Sequence, residues 1–203
     1  MTGDPDRDAY PYNRAWLQYA WRRWLGPTYE GGAVLDVGSG IGVNGRILSQ
    51  LGVWHVLGLD LDWGCLQTSR GRGLGVFSAD LSRELPLSDG TVELALLIHV
   101  IEHLPDGGFL MRAIHRVLRP GGRVVVVTPD WKSAWRGFYD DPTHIRPYSR
   151  QSLDAVLAAS GFQVEMRLRH NVGYWLGRTG LWRALPRLCF TGDALFAIAR
   201  KPR

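Results

Sequence analysis

The chain is most constrained by an apolar run that breaks into glycine at every second position, Val34-Leu35-Asp36-Val37-Gly38-Ser39-Gly40-Ile41-Gly42. Gly38, Gly40 and Gly42 let the backbone turn sharply and approach a ligand with no side chain in between. A strand entering such a turn and a helix leaving it begin a βαβ unit, with the turn at the carboxyl edge of a parallel sheet, where open α/β folds bind ligands. The segments that follow keep this rhythm. Strands are predicted at Ala33–Asp36, His55–Asp60, Val76–Ala79, Val92–Ile98 and Arg123–Thr128, and helices at Ile41–Leu51, Cys65–Arg70 and Phe109–Leu118. Val92–Ile98 is almost wholly apolar, as a strand buried on both faces must be. Pro120-Gly121-Gly122 is expected to stop the third helix. Ser149 reads as the N-cap of a helix over Gln151–Ala159 that ends at Gly161. Phe162–His170 and Ala194–Arg200 can close the sheet as an antiparallel pair. The expected fold is α/β: a doubly wound, mostly parallel seven-stranded sheet with a C-terminal antiparallel strand and helices on both faces.

A length of 203 residues suits one domain with one sizeable core. The expected division is an N-terminal lid helix within 1–30, a core over 33–170 and an aromatic and basic insertion over 171–193. No apolar run approaches the roughly 18 residues of a membrane span, and the first residues lack an export signal. A cytoplasmic protein is expected. Cys65 and Cys189 are too few and too far apart for a metal box or a disulfide framework. The formal charge of +5 comes from arginines scattered along the chain, with no basic block, so no nucleic-acid partner is expected. Tyr12–Leu25 and Asn171–Asp193 carry aromatic residues at helical spacing. The second, rich in Trp and Arg, suits a peripheral membrane contact, an apolar flap or a dimer contact. Monomer and homodimer both remain open.

Three acids each end a consecutive strand. Asp36 precedes the glycine turn, where it would oppose a pyrophosphate but suits a ligand carrying an ammonium group. Gly40-Ile41-Gly42-Val43-Asn44-Gly45 also matches the dinucleotide pattern, so an NAD-dependent oxidoreductase is the first alternative. Asp36 and the lack of a Tyr-x-x-x-Lys pattern favour S-adenosylmethionine instead. Asp60 can accept two hydrogen bonds from vicinal ribose hydroxyls, and Asp80 one from an adenine amino group, with Leu81 against the ring. Taken singly, each acid is equally a solvated loop residue.

Four ordered blocks, VLDVGSGIG, VLGLDLD, FSADLSRELPLSDGTVELALLIHVIEHLPD and HRVLRPGGRVVVVTP, resemble the class I S-adenosylmethionine-dependent methyltransferases, in particular the type 11, Rossmann-like branch. The resemblance covers Ala33 to about Phe162. It implies that the Gly38–Gly42 loop, with Ser39, wraps the methionine part of the cofactor and that Asp60, with Leu61 after it, holds the ribose. Asp80 and Leu81 would flank adenine, and His99 would lie beside the cofactor. Glu93 departs from the aspartate usual in relatives.

His99-Val100-Ile101-Glu102-His103 spells a zinc-protease pattern, but that chemistry needs both histidines on one helix face. No metal is expected here; Glu102 and His103 should brace their loop. Asp140 to Ser149 follows the fifth strand, on the side where an acceptor must enter, and type 11 relatives carry similar Pro-Thr-His-x-Arg-x-Tyr/Phe segments. His144 is the candidate general base, with Asp141 to orient it and Arg146 to hold an anionic substrate group. The alternative is that the segment only locks the loop onto the next helix. Trp131, Trp135, Phe138 and Tyr139 would wall an apolar acceptor pocket; Tyr12 would reach the cofactor carboxylate. Simple packing explains such aromatics equally well. The expected acceptor is an O, N or C atom of a small molecule such as a natural product, glycan or lipid-linked intermediate. The second alternative is a non-catalytic module that only binds the cofactor.

Overall fold

The computed structural model describes residues 17–169 and 194–203. Tyr12, Cys189 and the 171–193 segment therefore lie outside the described residues. Seven strands form one sheet: β1 (Ala33–Val37), β2 (Val56–Asp60), β3 (Gly75–Ser78), β4 (Val92–Ile98), β5 (Leu118–Pro129), β6 (Gln163–Arg169) and β7 (Ala194–Arg200). Their order is β3-β2-β1-β4-β5-β7-β6. Every pairing is parallel except those of β7, which runs antiparallel to both β5 and β6. The strand order reverses between β1 and β4, so a crevice opens outside the carboxyl ends of these strands.

Side-chain alternation on the strands divides the core in two. Leu94, Leu96 and Ile98 of β4 join Val125 and Val127 of β5 under α1 (Val43–Gln50) and the N-terminal helical segment, which includes Leu17, Ala20, Trp21 and Leu25. Ala95 and Leu97, with Val124 and Val126, face α3 (Gly107–Val117) and α5 (Arg150–Ala159) on the other side, the short α4 (Trp131–Ala134) lying between these two in the chain. All seven residues of β4 are buried, which explains their lack of polar alternation. The N-terminal segment is thus part of the core from residue 17, ending in a π-turn at Trp21–Leu25 and a 3-10 turn at Gly26–Thr28.

The helix starts show how local chemistry sets the boundaries. Helix α1 begins at Val43 because Gly42 sits in the left-handed region at φ 79°, which delays the helix past the expected Ile41. In α2 (Trp63–Gly71), Asp62 accepts from Cys65 N at 2.7 Å and so starts the helix earlier than expected. Asp106 caps α3 through Phe109 N, and Ser149 and Ser152 form a reciprocal capping box at α5. Helix α3 ends at Val117, ahead of Pro120-Gly121-Gly122. Those three residues instead form an irregularity inside β5: Val92 pairs with Leu118, but Leu94 already pairs with Arg123.

Glu93 has a structural role that its sequence context did not disclose. It is buried at the start of β4, where its carboxylate accepts from Glu30 N (2.7 Å) and Gly32 N (2.6 Å) and meets Arg119 at 2.8 Å. It ties the entry to β1 and the bulge of β5 to the centre of the sheet, at the edge opposite the glycine turn.

Candidate active site

The glycine turn is built as its sequence demands. Gly38, Gly40 and Gly42 all have positive φ (67°, 50° and 79°). A Cβ on Gly38 would lie 2.5 Å from Val100, and one on Gly42 would lie 2.4 Å from Ser69 Oγ, so those two positions also need glycine for space. At Gly40 nothing lies within 4 Å, and the backbone is open to a ligand. Asp60, ending β2, holds this turn: its Oδ2 accepts from Gly40 N at 2.7 Å and its Oδ1 from Asp62 N at 3.0 Å. Leu61 stands exposed beside it.

Behind the turn lies a buried polar patch. Asp36 is 1% exposed, and Asn44 donates to its Oδ1 over 3.4 Å. Its Oδ2, with Asn44 Oδ1, Ser39 Oγ and Ser69 Oγ, is buried without a partner. Burial raises the Asp36 carboxyl from 3.8 to about 7, opposed by the hydrogen bonds from Asn44 and the Gly45 backbone. A carboxylate with an unused buried oxygen is a preformed site for a cationic group. The donor set therefore fits a ligand that combines an ammonium group with vicinal hydroxyls, as S-adenosylmethionine does. Asn44 carried no functional signal in the sequence; its helical position only here places its amide against Asp36.

Asp80 follows β3, but it also supports its own turn: Oδ1 accepts from Ser82 N (2.9 Å) and Ser82 Oγ (2.6 Å), while Oδ2 meets Arg83 at 3.2 Å. These bonds hold its carboxyl below the usual range. Leu81 is partly buried against the core. His99, at the carboxyl end of β4, has a φ of 55°, the one positive value among the described non-glycine residues. Left-handed backbone at a non-glycine residue persists only when its surroundings over-determine it, and such sites cluster at functional centres. Its side chain is half exposed, with Nδ1 3.2 Å from Glu102 Oε1.

Glu102 joins this first group of residues to the second. Its carboxylate is fully buried between His99 and Thr128, which donates to Oε2 at 3.0 Å. Its carbonyl accepts from both Ile145 N and Arg146 N at 2.9 Å, clamping the segment after β5 onto the turn after β4. The Asp130–Tyr148 bridge fixes the same segment from its far end. The clamp brings His144 against His103, ring centres 4.8 Å apart. His144 is partly buried against Phe138, with Nδ1 2.6 Å from the Phe138 carbonyl and Nε2 3.8 Å from Asp141 Oδ2. Thr143 bonds to Asp141 through both its hydroxyl (2.6 Å) and its amide (2.9 Å), keeping that carboxyl below the usual range.

The remaining expected acceptor residues divide. Trp131 contacts Phe138 and Tyr139, and all but Phe138 are exposed. Trp135, exposed, carries Arg136 over its ring at 5.0 Å. Arg146 donates to the Pro105 carbonyl at 3.3 Å and lies over Tyr148, so its cation also serves the loop.

Residues 7–166 match the family described as a methyltransferase domain. The chain belongs to this family, the S-adenosylmethionine-dependent class I methyltransferases. It is 34% identical over 136 residues to a Mycolicibacterium smegmatis protein named as an S-adenosylmethionine-dependent methyltransferase, covering 65% of this chain and 52% of the relative. It is 29% identical over 157 residues to the malonyl-[acyl-carrier protein] O-methyltransferase of Pseudescherichia vulneris, covering 73% and 56%. The crystal structure of an S-adenosylmethionine-dependent methyltransferase from Mesorhizobium loti superposes with a TM-score of 0.69 at 22% identity, covering 91% of this chain and 99% of that one. The last likeness concerns the fold. The chain spans about half the length of those two curated relatives. Among the described residues, no helix is long and apolar enough to cross a membrane.

Proposed function

We propose that this chain transfers a methyl group to an O, N or C atom of a small-molecule acceptor that enters at the carboxyl ends of β4 and β5. The observation that carries the reading is the glycine turn with its open Gly40 and, behind it, a buried Asp36 oxygen lacking a partner. When bound, the cofactor supplies an electrophilic methyl group on a sulfonium sulfur. Asp36 would hold the ammonium end. Asp60 would accept from the ribose hydroxyls while keeping Gly40 in place. The turn after Asp80, with Leu81, would take the base, and Leu61, exposed next to Asp60, would lie along the ribose.

On the acceptor side the chain has to position a nucleophile and keep water out. The exposed faces of Trp131, Trp135 and Tyr139 offer apolar surface for this. His144 donates from Nδ1 to the Phe138 carbonyl, which leaves Nε2 as a lone pair able to receive a proton or a cation. Resemblance to an O-methyltransferase favours an oxygen acceptor, whose proton must be removed.

The test is calorimetry with S-adenosylhomocysteine and NADH, followed by S-adenosylhomocysteine release from S-adenosylmethionine over a panel of hydroxyl and carboxyl acceptors. Binding of the first ligand alone, with acceptor-dependent turnover, is the expected result. Binding of NADH would overturn it. Cofactor binding with no turnover on any acceptor class, and no change of phenotype for His144→Gln in the producing organism, would favour a binding module.

A further inference from the structure

We infer that Glu102, His103 and His144 form a site for one divalent first-row transition-metal cation on the acceptor side of the crevice. One ligating atom from each of the three lies within 4.8 Å of the others, on side chains that range from fully to partly buried. The sequence pattern pointed elsewhere, because His99 and His103 were the histidines of the zinc-protease spelling. The fold breaks that pattern at Glu102 and supplies the second imidazole from the segment after β5.

The hydrogen bonds fix both imidazoles in the form a metal needs. Thr143 Oγ1 spends its proton on Asp141 Oδ1 at 2.6 Å, so it can only accept from His103 Nδ1, 2.9 Å away. The Thr143 carbonyl, 3.1 Å from the same nitrogen, demands the same proton. In His144, Nδ1 donates to the Phe138 carbonyl at 2.6 Å. In the neutral form of each ring the proton is therefore on Nδ1, and Nε2 presents the lone pair. Metal-ligating histidines are characteristically oriented in this way, through the ring nitrogen that does not bind the metal. His144 Nε2 also lies 3.8 Å from Asp141 Oδ2, which sets a second carboxylate beside the cluster. The Glu102 carboxylate, fully buried, has only the half-exposed His99 as an ion-pair partner among the described residues. A cation offsets the charge of both carboxylates at once. Two imidazoles and a carboxylate select a borderline ion such as Zn²⁺, Fe²⁺ or Co²⁺ over Ca²⁺.

The site stands on these contacts alone; its role rests on the methyltransferase reading, in which a cation here would polarise the acceptor. The test uses untagged chain stripped with a chelator and titrated with Co²⁺, followed by visible absorption, and with Zn²⁺ by calorimetry. One ion per chain is expected, with a rise in melting temperature on binding. His103→Gln and His144→Gln should each weaken Co²⁺ by about 100-fold or more. Thr143→Ala, which removes the hydroxyl shared by His103 and Asp141 but no ligand, should weaken it by about tenfold. His115→Ala, on α3 away from the cluster, should leave it unchanged. No stoichiometric uptake, or uptake undiminished in the His103→Gln/His144→Gln pair, would overturn the site. Thr143→Ala keeps the test decisive should the histidine variants fold poorly. S-adenosylhomocysteine affinity, measured alongside, separates failure of the metal site from failure of the methyltransferase reading.

Discussion

Replacing Asp36 by asparagine should stabilise the empty protein above neutral pH while weakening its hold on the cofactor. Burial raises this carboxyl from 3.8 to about 7, and the side chain is 1% exposed, so solvent screens little of the effect. A rise of that size corresponds to about 4 kcal/mol between the protonated and ionised forms. The sign follows from proton linkage. The folded state binds the Asp36 proton more tightly than the unfolded chain, so this contribution to stability is whole below about pH 3.8. It is lost as pH rises through about 7. Asp36→Asn keeps a neutral group at every pH and can place its amide nitrogen near Asn44 Oδ1, which lacks a donor. Urea unfolding should therefore show variant and wild type within about 1 kcal/mol near pH 4, with the gap opening from there to pH 7. Near pH 8 the variant should be more stable, by up to about 4 kcal/mol. Binding of S-adenosylhomocysteine should behave inversely. Wild-type affinity should climb between pH 6 and 8, as the ligand's ammonium finds an ionised partner, and the variant's should be lower and flat. A stability gap that shrinks with rising pH, or equal affinities at pH 8, would refute this account of Asp36.

Asp60→Ala should weaken S-adenosylhomocysteine binding by roughly 1–3 kcal/mol, through lost ribose contacts and a loosened Gly40, as read by calorimetry. Glu93→Ala should cost roughly 2–3 kcal/mol in chemical denaturation, because it leaves two backbone amides without their acceptor, while Arg119 keeps Glu30 at 2.8 Å. Ser149→Ala should cost about 1 kcal/mol by removing one half of the capping box of α5, again measured by unfolding. His144→Gln should lower turnover by about 100-fold with cofactor affinity unchanged, whether its lone pair serves a proton or a cation.

Much of the sheet could be read from the chain because its strands obey strong local rules. β4 is apolar but for Glu93 since both its faces are covered, and the glycine turn announces a change from strand to helix. Helix boundaries were less legible where one residue decided them, as with the left-handed Gly42 or the cap by Asp62. The bulge in β5 was missed because Pro120-Gly121-Gly122 reads locally as a helix stop, whereas sheet pairing absorbs it. Glu93 gave no sign of its task, since its partners at Glu30, Gly32 and Arg119 are brought to it only by the fold. Of the candidate site, the part legible in the chain was its geometry at the glycine turn, where Asp60 meets Gly40 and Asp36 is buried behind it. The acceptor side was not legible. The meeting of His103 and His144 depends on two backbone bonds to the Glu102 carbonyl, and no periodicity encodes such a clamp.

The antiparallel β7 is slotted between β5 and β6, although it is the last of the described strands to leave the ribosome. Until it emerges, β5 is an open edge with a row of unpaired amides and carbonyls, and β6 has no strand to pair with. A nascent chain of this topology therefore carries an exposed apolar edge until its last described strand is made.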